Sequence, residues 1–461
     1  MASFAAGSRL LKSQLRDSGQ ALLTLLDESR IDALSAPFQC PRRRCFWRPA
    51  IVILTFLRQV LWPHCSCRAA VAQTLSDPAI GNPRPRRPRG DPSAYSQARQ
   101  RLPRVLLEHL SDALVTQLDE PQRRWHGHRV RVIDGSCIST PDTPALQAAY
   151  PQSSSQQKGC GFPLIRLVGL FCWASGALLE LRYAAQAVGE LQLFRRLLAH
   201  FQPGDVAVAD RLYGTYCELA LLQQRQAHGV FRLHNARRAD LRQGQRLGAH
   251  DRLMVWTRPP GRPLGMPANL WATIPETLTV RRIRRVVLDR QGFRQRCLDL
   301  VTTLVDARAY AADELAQLYR DRWRVELSLR SLKCTQGMDR LRCQSPAMVH
   351  KELIMHQIAY NLIRLLMRTA GMLHGIDPHR LSFAGTGQRV QALLPYLCPC
   401  CSGRPFETLL RMLLQDIAAD PVPNRPGRKE PRAVKRRNKE YPYLTCPRAR
   451  ARHLPCYDGS G

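Results

Sequence analysis

The feature that most constrains the fold is a change of hydrophobic period at Arg129. Before it, apolar residues recur at helical spacing over residues 10–26, 51–60, 68–75 and 94–118, with a Pro/Arg/Gly run at 82–92 marking a loop. After it they come in short runs. Val130, Val132 and Ile133 lead into Asp134-Gly135, residues 164–173 and 178–183 read as further strands, and 190–201 reads as a helix. Past Pro203-Gly204, the run Val206-Ala-Val208-Ala ends at Asp210. Three strands, a helix and another strand begin an α/β core, set behind a helical block of about 125 residues. A basic, β-rich segment follows, with strand-like pieces at 230–234, 253–257, 278–288 and 297–304. Helices resume at 313–334, with Asp313 as the expected cap, and at 348–373. The domain organisation read from this pattern is 1–125, 126–218, 219–304, 305–375 and 376–461.

Charge narrows the partner. The chain carries 69 Lys plus Arg against 36 Asp plus Glu, a formal +33, far more than solubility needs. Such an excess calls for a polyanion, and nucleic acid is the expected one. A membrane is not expected, because the longest uncharged apolar stretch, 167–179, is too short to span and is broken by Gly169 and Gly176. The tail around Arg425, Arg428, Arg432, Lys435, Arg436 and Arg437 has too few apolar residues for a core of its own. Residues 1–19 lack a secretory pattern, which points to the cytoplasm and reduced thiols. The cysteine pairs Cys65/Cys67, Cys40/Cys45 and Cys398/Cys400/Cys401 have no partner pair at zinc-finger spacing, so they read as small hydrophobes.

The segment around Glu326 concentrates chemistry. Tyr319, Arg322, Glu326 and Lys333 fall at i, i+3, i+7 and i+14, which on one straight helix drift by only roughly 20° per seven residues and so share a face. Leu318, Val325, Leu329 and Leu332 form a second, apolar stripe. One carboxylate among groups able to grip phosphate suggests phosphodiester chemistry. Asp134 and Asp210 each read as the residue at a strand's carboxyl end, where α/β folds place their sites. Three convergent carboxylates need a cation, and an all-oxygen set favours Mg²⁺, or Mn²⁺ in its stead, over zinc. Two such ions, about 4 Å apart, clamp the attacking and leaving oxygens of an in-line displacement at phosphorus. Each residue also has a plain alternative: a turn at Asp134-Gly135, a helix cap at Asp210, and a surface ion pair between Arg322 and Glu326.

These residues resemble the DDE transposases of the insertion-sequence-4 family, whose Tyr-x2-Arg-x3-Glu-x6-Lys motif is matched without a gap by Tyr319, Arg322, Glu326 and Lys333. The text around Asp134, the Asp210-Arg-Leu-Tyr-Gly stretch, Phe231-Arg-Leu-His234 and the run from Lys351 to Asn361 is similar to family text too, so the resemblance covers about residues 50–450. It implies an α/β fold with an RNase H-like catalytic core interrupted by a β-rich insertion, a helical N-terminal DNA-binding domain and a basic helical or extended C-terminal region. It further implies Asp134, Asp210 and Glu326 as catalytic metal ligands for two Mg²⁺ ions. Tyr319, Arg322, Lys333 and Arg211 become phosphate-binding residues, and a homodimer pairs the two terminal inverted repeats before joining them to target DNA.

One position departs from the pattern. The best-characterised relatives carry a Trp on the strand before the Glu helix that stacks on a flipped base, and residues 297–303 hold no aromatic. Trp256 is the candidate replacement, with burial in a β-sheet core as its ordinary role. A DNA-binding relic without activity, and a nuclease without strand transfer, stay open as alternatives.

Overall fold

The computed structural model describes residues 28–38, 46–62, 65–77, 90–119, 124–234, 242–286, 297–397, 403–423, 446–447 and 450. The helix expected at 10–26, most of the 82–92 run, Cys40, Cys45, Cys398, Cys400, Cys401 and the basic tail lie outside them. Among the described residues, five α-helices come first: α1 (Glu28–Ser35), α2 (Pro49–Leu61), α3 (Cys67–Ser76), α4 (Ser93–Arg101) and α5 (Arg104–Asp119). The single helix expected over 94–118 is two, because Pro103 has no N–H to continue the first and disfavours helix at Leu102 before it.

Nine strands of the described residues then form one sheet in the order β3-β2-β1-β4-β5-β9-β8-β7-β6. The first five are β1 (Val130–Ser139), β2 (Leu164–Cys172), β3 (Leu178–Ala185), β4 (Val206–Ala209) and β5 (His228–Arg232). β1, β2 and β3 are antiparallel neighbours, while β4 and β5 run parallel to β1, the mixed arrangement expected of an RNase H-like core. Helix α6 (Pro144–Ala149) follows β1, α7 (Glu190–Leu197) leads from β3 toward β4, and α8 (Tyr216–Gln224) joins β4 to β5.

The β-rich segment continues the same sheet. β9 (Cys297–Thr302) pairs antiparallel with β5, and β8 (Thr277–Val286), β7 (Asp251–Thr257) and β6 (Gln245–Gly248) extend it outward, with short α9 (Ala268–Ala272) between β7 and β8. β5 therefore pairs on both sides, with β4 of the core and with β9 of the extension.

Period-two alternation sorts the strand residues onto two faces. Val130, Val132, Val206 and Val208 turn into a large core shared with α2, α5 and the long helix α12 (Pro346–His374). Ile133, Ala207 and Ala209 turn into a second core with α7 and α8. The first face is also closed by α10 (Ala312–Asp321) and α11 (Trp323–Arg330), and later by α13 (Phe383–Leu397) and α14 (Gly403–Ala418). Leu318, Val325, Leu329 and Leu332 are all buried there.

Two local expectations change. The first turn of α10 is capped by Glu314, whose carboxylate accepts the Ala311 N–H at 3.3 Å, while Asp313 pairs instead with Arg285 at 2.7 Å. Nor is the motif segment one straight helix. It runs from α10 through Arg322 into α11 and ends in a π-helical turn at Ser331–Thr335, so Lys333 sits on a widened turn.

Candidate active site

Asp134 lies within β1, not at its end. The strand is held past it by antiparallel pairing with β2 as far as Ser139↔Leu164, whereas its parallel neighbour β4 stops at Ala209. Gly135 fits inside the strand because a carboxylate occupies the space of a side chain there. The β1–β4 register pairs Val132 with Val208, so Asp134 and Asp210 each stand two residues beyond the last rung of that ladder. Asp134 continues the alternation of Val132, so it turns to the face that α11 covers. Asp210 also accepts the Leu212 N–H at 2.8 Å, which fixes its side chain in the turn after β4.

Glu326 enters from the first turn of α11. Its carboxylate accepts a 2.6 Å hydrogen bond from Nη2 of Arg322, and Nη1 of the same guanidinium is 3.9 Å from Oδ2 of Asp134. One positive group thus stands between two of the three carboxylates. Burial raises the Asp134 carboxyl to about 6, and the charges of Glu326 and Asp210 add to the rise. Arg322 and the Gly135 N–H, donated at 2.9 Å, pull the other way. Asp134 therefore feels both other carboxylates, as a group in a shared anionic site must.

The remaining motif residues surround this centre. Tyr319 is 9% exposed and its hydroxyl pKa is raised by burial, with the Arg322 guanidinium 5.8 Å from its ring centre. Nε of Arg322 is buried without a hydrogen-bond partner, so the fork has donor capacity left. Lys333 donates to Oγ of Ser136 at 2.7 Å, which brings the π turn to β1 two residues beyond Asp134. Arg211 is half-buried beside Asp210.

Trp256 does not join them. It is 6% exposed, packed in the second core with Met266, Ile274, Leu278 and Val280, and its burial takes its faces out of reach of a base. An exposed indole lies nearer: Trp323, 59% accessible and adjacent in sequence to Arg322, with Leu327 one turn on and also exposed. Its signal in the sequence was its place outside the buried stripe. Glu190 and Tyr213 lie on the other face of the sheet, and nothing local in the sequence ties them to Asp134.

The donor set suits a hard divalent cation, and Arg322 already supplies positive charge where one would sit. As placed, no three His, Cys, Asp or Glu among the described residues stand close enough to hold one ion. No helix among the described residues is long and apolar enough to cross a membrane.

Comparison with known proteins gives the family. A family profile described as a transposase DDE domain matches residues 125–362, just over half the chain, and spans all three carboxylates. The chain is 28% identical over 362 residues to the transposase InsG of insertion sequence element IS4 from Escherichia coli K12, covering 77% of this chain and 79% of that protein. It is 32% identical over 140 residues to the putative transposase InsZ of the same organism, covering 29% of this chain and 46% of that one. A cryo-EM structure of the piggyBac transposase synaptic complex with hairpin DNA aligns with 88% of this chain and 85% of its own, at a TM-score of 0.45 and 10% identity.

Proposed function

The chain belongs to the DDE transposases, with the insertion-sequence-4 transposases as its kin, and from that premise we propose that Asp134, Asp210 and Glu326 are its three catalytic carboxylates. As an enzyme of this family it cleaves DNA strands and transfers them. The observation that carries the assignment is the Arg322 guanidinium, seated between Asp134 and Glu326, with Asp210 in the turn that follows the adjacent strand.

Divalent cations bound by these carboxylates, Mg²⁺ in our reading, would activate water or a 3′-OH and stabilise the leaving oxygen. The chain's own residues do the positioning. Arg322 holds Glu326 from within the same helical segment, and its planar fork is the shape that grips a phosphate. Lys333, tied to Ser136, adds a point charge on the strand that carries Asp134, and Tyr319 and Arg211 complete the grip. Trp323 replaces Trp256 as the surface on which a displaced base stacks. The RNase H-like core comprises 126–218 and 305–375, with 219–304 as its β-rich extension. The helical region 1–125 reads the terminal repeat, and 376–461 adds a basic C-terminal region. A homodimer brings both transposon ends together on the bacterial nucleoid.

Asp134→Asn, Asp210→Asn and Glu326→Gln are each expected to abolish nicking at a terminal repeat while leaving gel-shift affinity nearly intact. Retained nicking in any one of them removes that residue from the triad. Joining of a precut end to target DNA by the unaltered protein distinguishes a transposase centre from a plain nuclease.

A further inference from the structure

The parallel ladder between β1 and β4 ends at Val132 and Val208, and both catalytic aspartates stand two residues beyond it. Backbone past the last rung has no fixed spacing of its own, yet two carboxylates sharing cations need one held closely. The contact that supplies it lies on the rear face of the sheet. Gly135 turns away from Glu326 toward α7, and a Cβ built on it would stand 2.7 Å from Cδ and Oε2 of Glu190 and 3.1 Å from Oε1. The Glu190 carboxylate therefore fills the place that any other residue at 135 would need.

The same carboxylate accepts the Tyr213 hydroxyl at 3.4 Å. Tyr213 follows Asp210 by three residues, and its ring is fully buried with an edge-on contact to Phe194 at 5.3 Å between centres. Glu190 thus touches the backbone next to Asp134 on one side and the turn that carries Asp210 on the other. It starts α7, whose Leu193, Phe194 and Leu197 are buried in the second core, so the carboxylate is anchored by a rigid element. Burial raises the Glu190 carboxyl; Asp210 adds to the rise, while Arg166 and the Tyr213 hydroxyl oppose it.

We propose that Glu190 and Tyr213 are positioning residues of the catalytic centre, a strut behind the sheet that sets the spacing of Asp134 and Asp210. The proposal rests on the reading of those aspartates as metal ligands. The strut meets neither DNA nor cation and acts through the two backbone segments it joins.

The test uses the full-length protein, with Mn²⁺ binding to the metal-free enzyme followed by electron paramagnetic resonance beside the rate of nicking. Glu190→Ala and Gly135→Ala are expected to weaken Mn²⁺ binding and slow nicking by about ten- to a hundredfold, the range seen when an outer-shell partner is lost. Tyr213→Phe keeps the buried ring, so it folds, and shifts both in the same direction by less. Glu190→Gln keeps the shape and the acceptor and restores most of the wild-type values. Unshifted Mn²⁺ binding in Glu190→Ala and Tyr213→Phe overturns the strut. So does a Glu190→Gln as impaired as Glu190→Ala, since charge rather than contact would then be acting. Asp134→Asn in the same titration separates the two layers of the argument. Loss of Mn²⁺ there with no shift in Glu190→Ala condemns the strut alone, whereas wild-type Mn²⁺ binding by Asp134→Asn condemns the metal reading beneath it.

Discussion

In the four-strand extension of the sheet, Asp251 is gripped at both oxygens by Arg281, at 2.9 and 2.6 Å, and Asp299 is held the same way by Arg284, at 2.8 and 3.1 Å. In the catalytic half, Asp134 has a guanidinium no nearer than 3.9 Å and a single backbone N–H, and it shares its surroundings with two more carboxylates. The same residue types meet in both halves. In the extension these two pairs are matched and hold strands together; Asp134, unlike Asp205 with its Arg129 fork in the same half, is left short of positive charge, which is a demand that a cation would meet. A carboxylate's unmet need, more than its burial, separates a working site from a structural pair.

The largest expected effects set one half against the other. Asp251→Ala leaves Arg281, 1% exposed, without its partner, and breaking such a buried pair costs about 3–5 kcal/mol in urea unfolding. Asp134→Asn should do the opposite. An acid with its pKa raised to about 6 in the folded state and near 4 when unfolded takes up a proton on folding between those values. Stability is therefore present at low pH and lost as pH rises through that window. Asn never ionises and escapes the loss. Between pH 4 and pH 7, without divalent ions, the stability difference should move in favour of Asp134→Asn by on the order of 2–3 kcal/mol. A constant difference across that range would mean that Asp134 is already satisfied, and the contrast between the halves would fail.

What was legible beforehand divides along the same physical line. The run Val206–Ala209, the long helix Pro346–His374 and the buried stripe Leu318, Val325, Leu329 and Leu332 follow from local period, which a linear chain displays directly. The three carboxylates also stood out, because each ends or interrupts a local pattern. Pairing partners are a different kind of fact. That β9 joins β5 and closes the extension onto the core depends on residues about seventy positions apart, and no local signal encodes such a choice. Asp134 looked like a strand end because Gly135-Ser136 reads as a turn; the strand continues because β2 pairs with it and Glu190 fills the space beside the glycine. Helix breaks such as the π turn holding Lys333 are equally hidden, since an α-helical wheel assumes the regularity that the turn abandons.

Two tryptophans sharpen the comparison at intermediate size. Trp256→Ala removes a side chain from the packed core shared by β7 and β8 and should cost about 3–5 kcal/mol of stability, with any loss of nicking following from unfolding. Trp323→Ala touches little in the folded protein and should leave stability within about 0.5 kcal/mol. Its loss should instead weaken binding to a transposon end by about 1–3 kcal/mol, the range of a base–aromatic stack. Equal effects of the two on DNA binding at matched stability would return the stacking role to an unidentified residue.

The smallest effect is the most selective test of saturated against unsaturated charge. Lys333 donates to a neutral hydroxyl, that of Ser136, so its charge remains available to a phosphate. Arg284 faces Asp299 with two parallel hydrogen bonds, which leaves its charge matched within the protein. Each phosphate contact releases condensed counterions, so the slope of log affinity against log salt counts contacts and ignores charges already paired. Lys333→Ala should lower the magnitude of that slope by about one, and Arg284→Ala should leave it unchanged even though both remove one positive charge. Fluorescence anisotropy of a labelled terminal repeat between low and moderate salt resolves the two. An equal fall in both variants would show that total charge, and not the availability of particular groups, governs how this chain holds DNA.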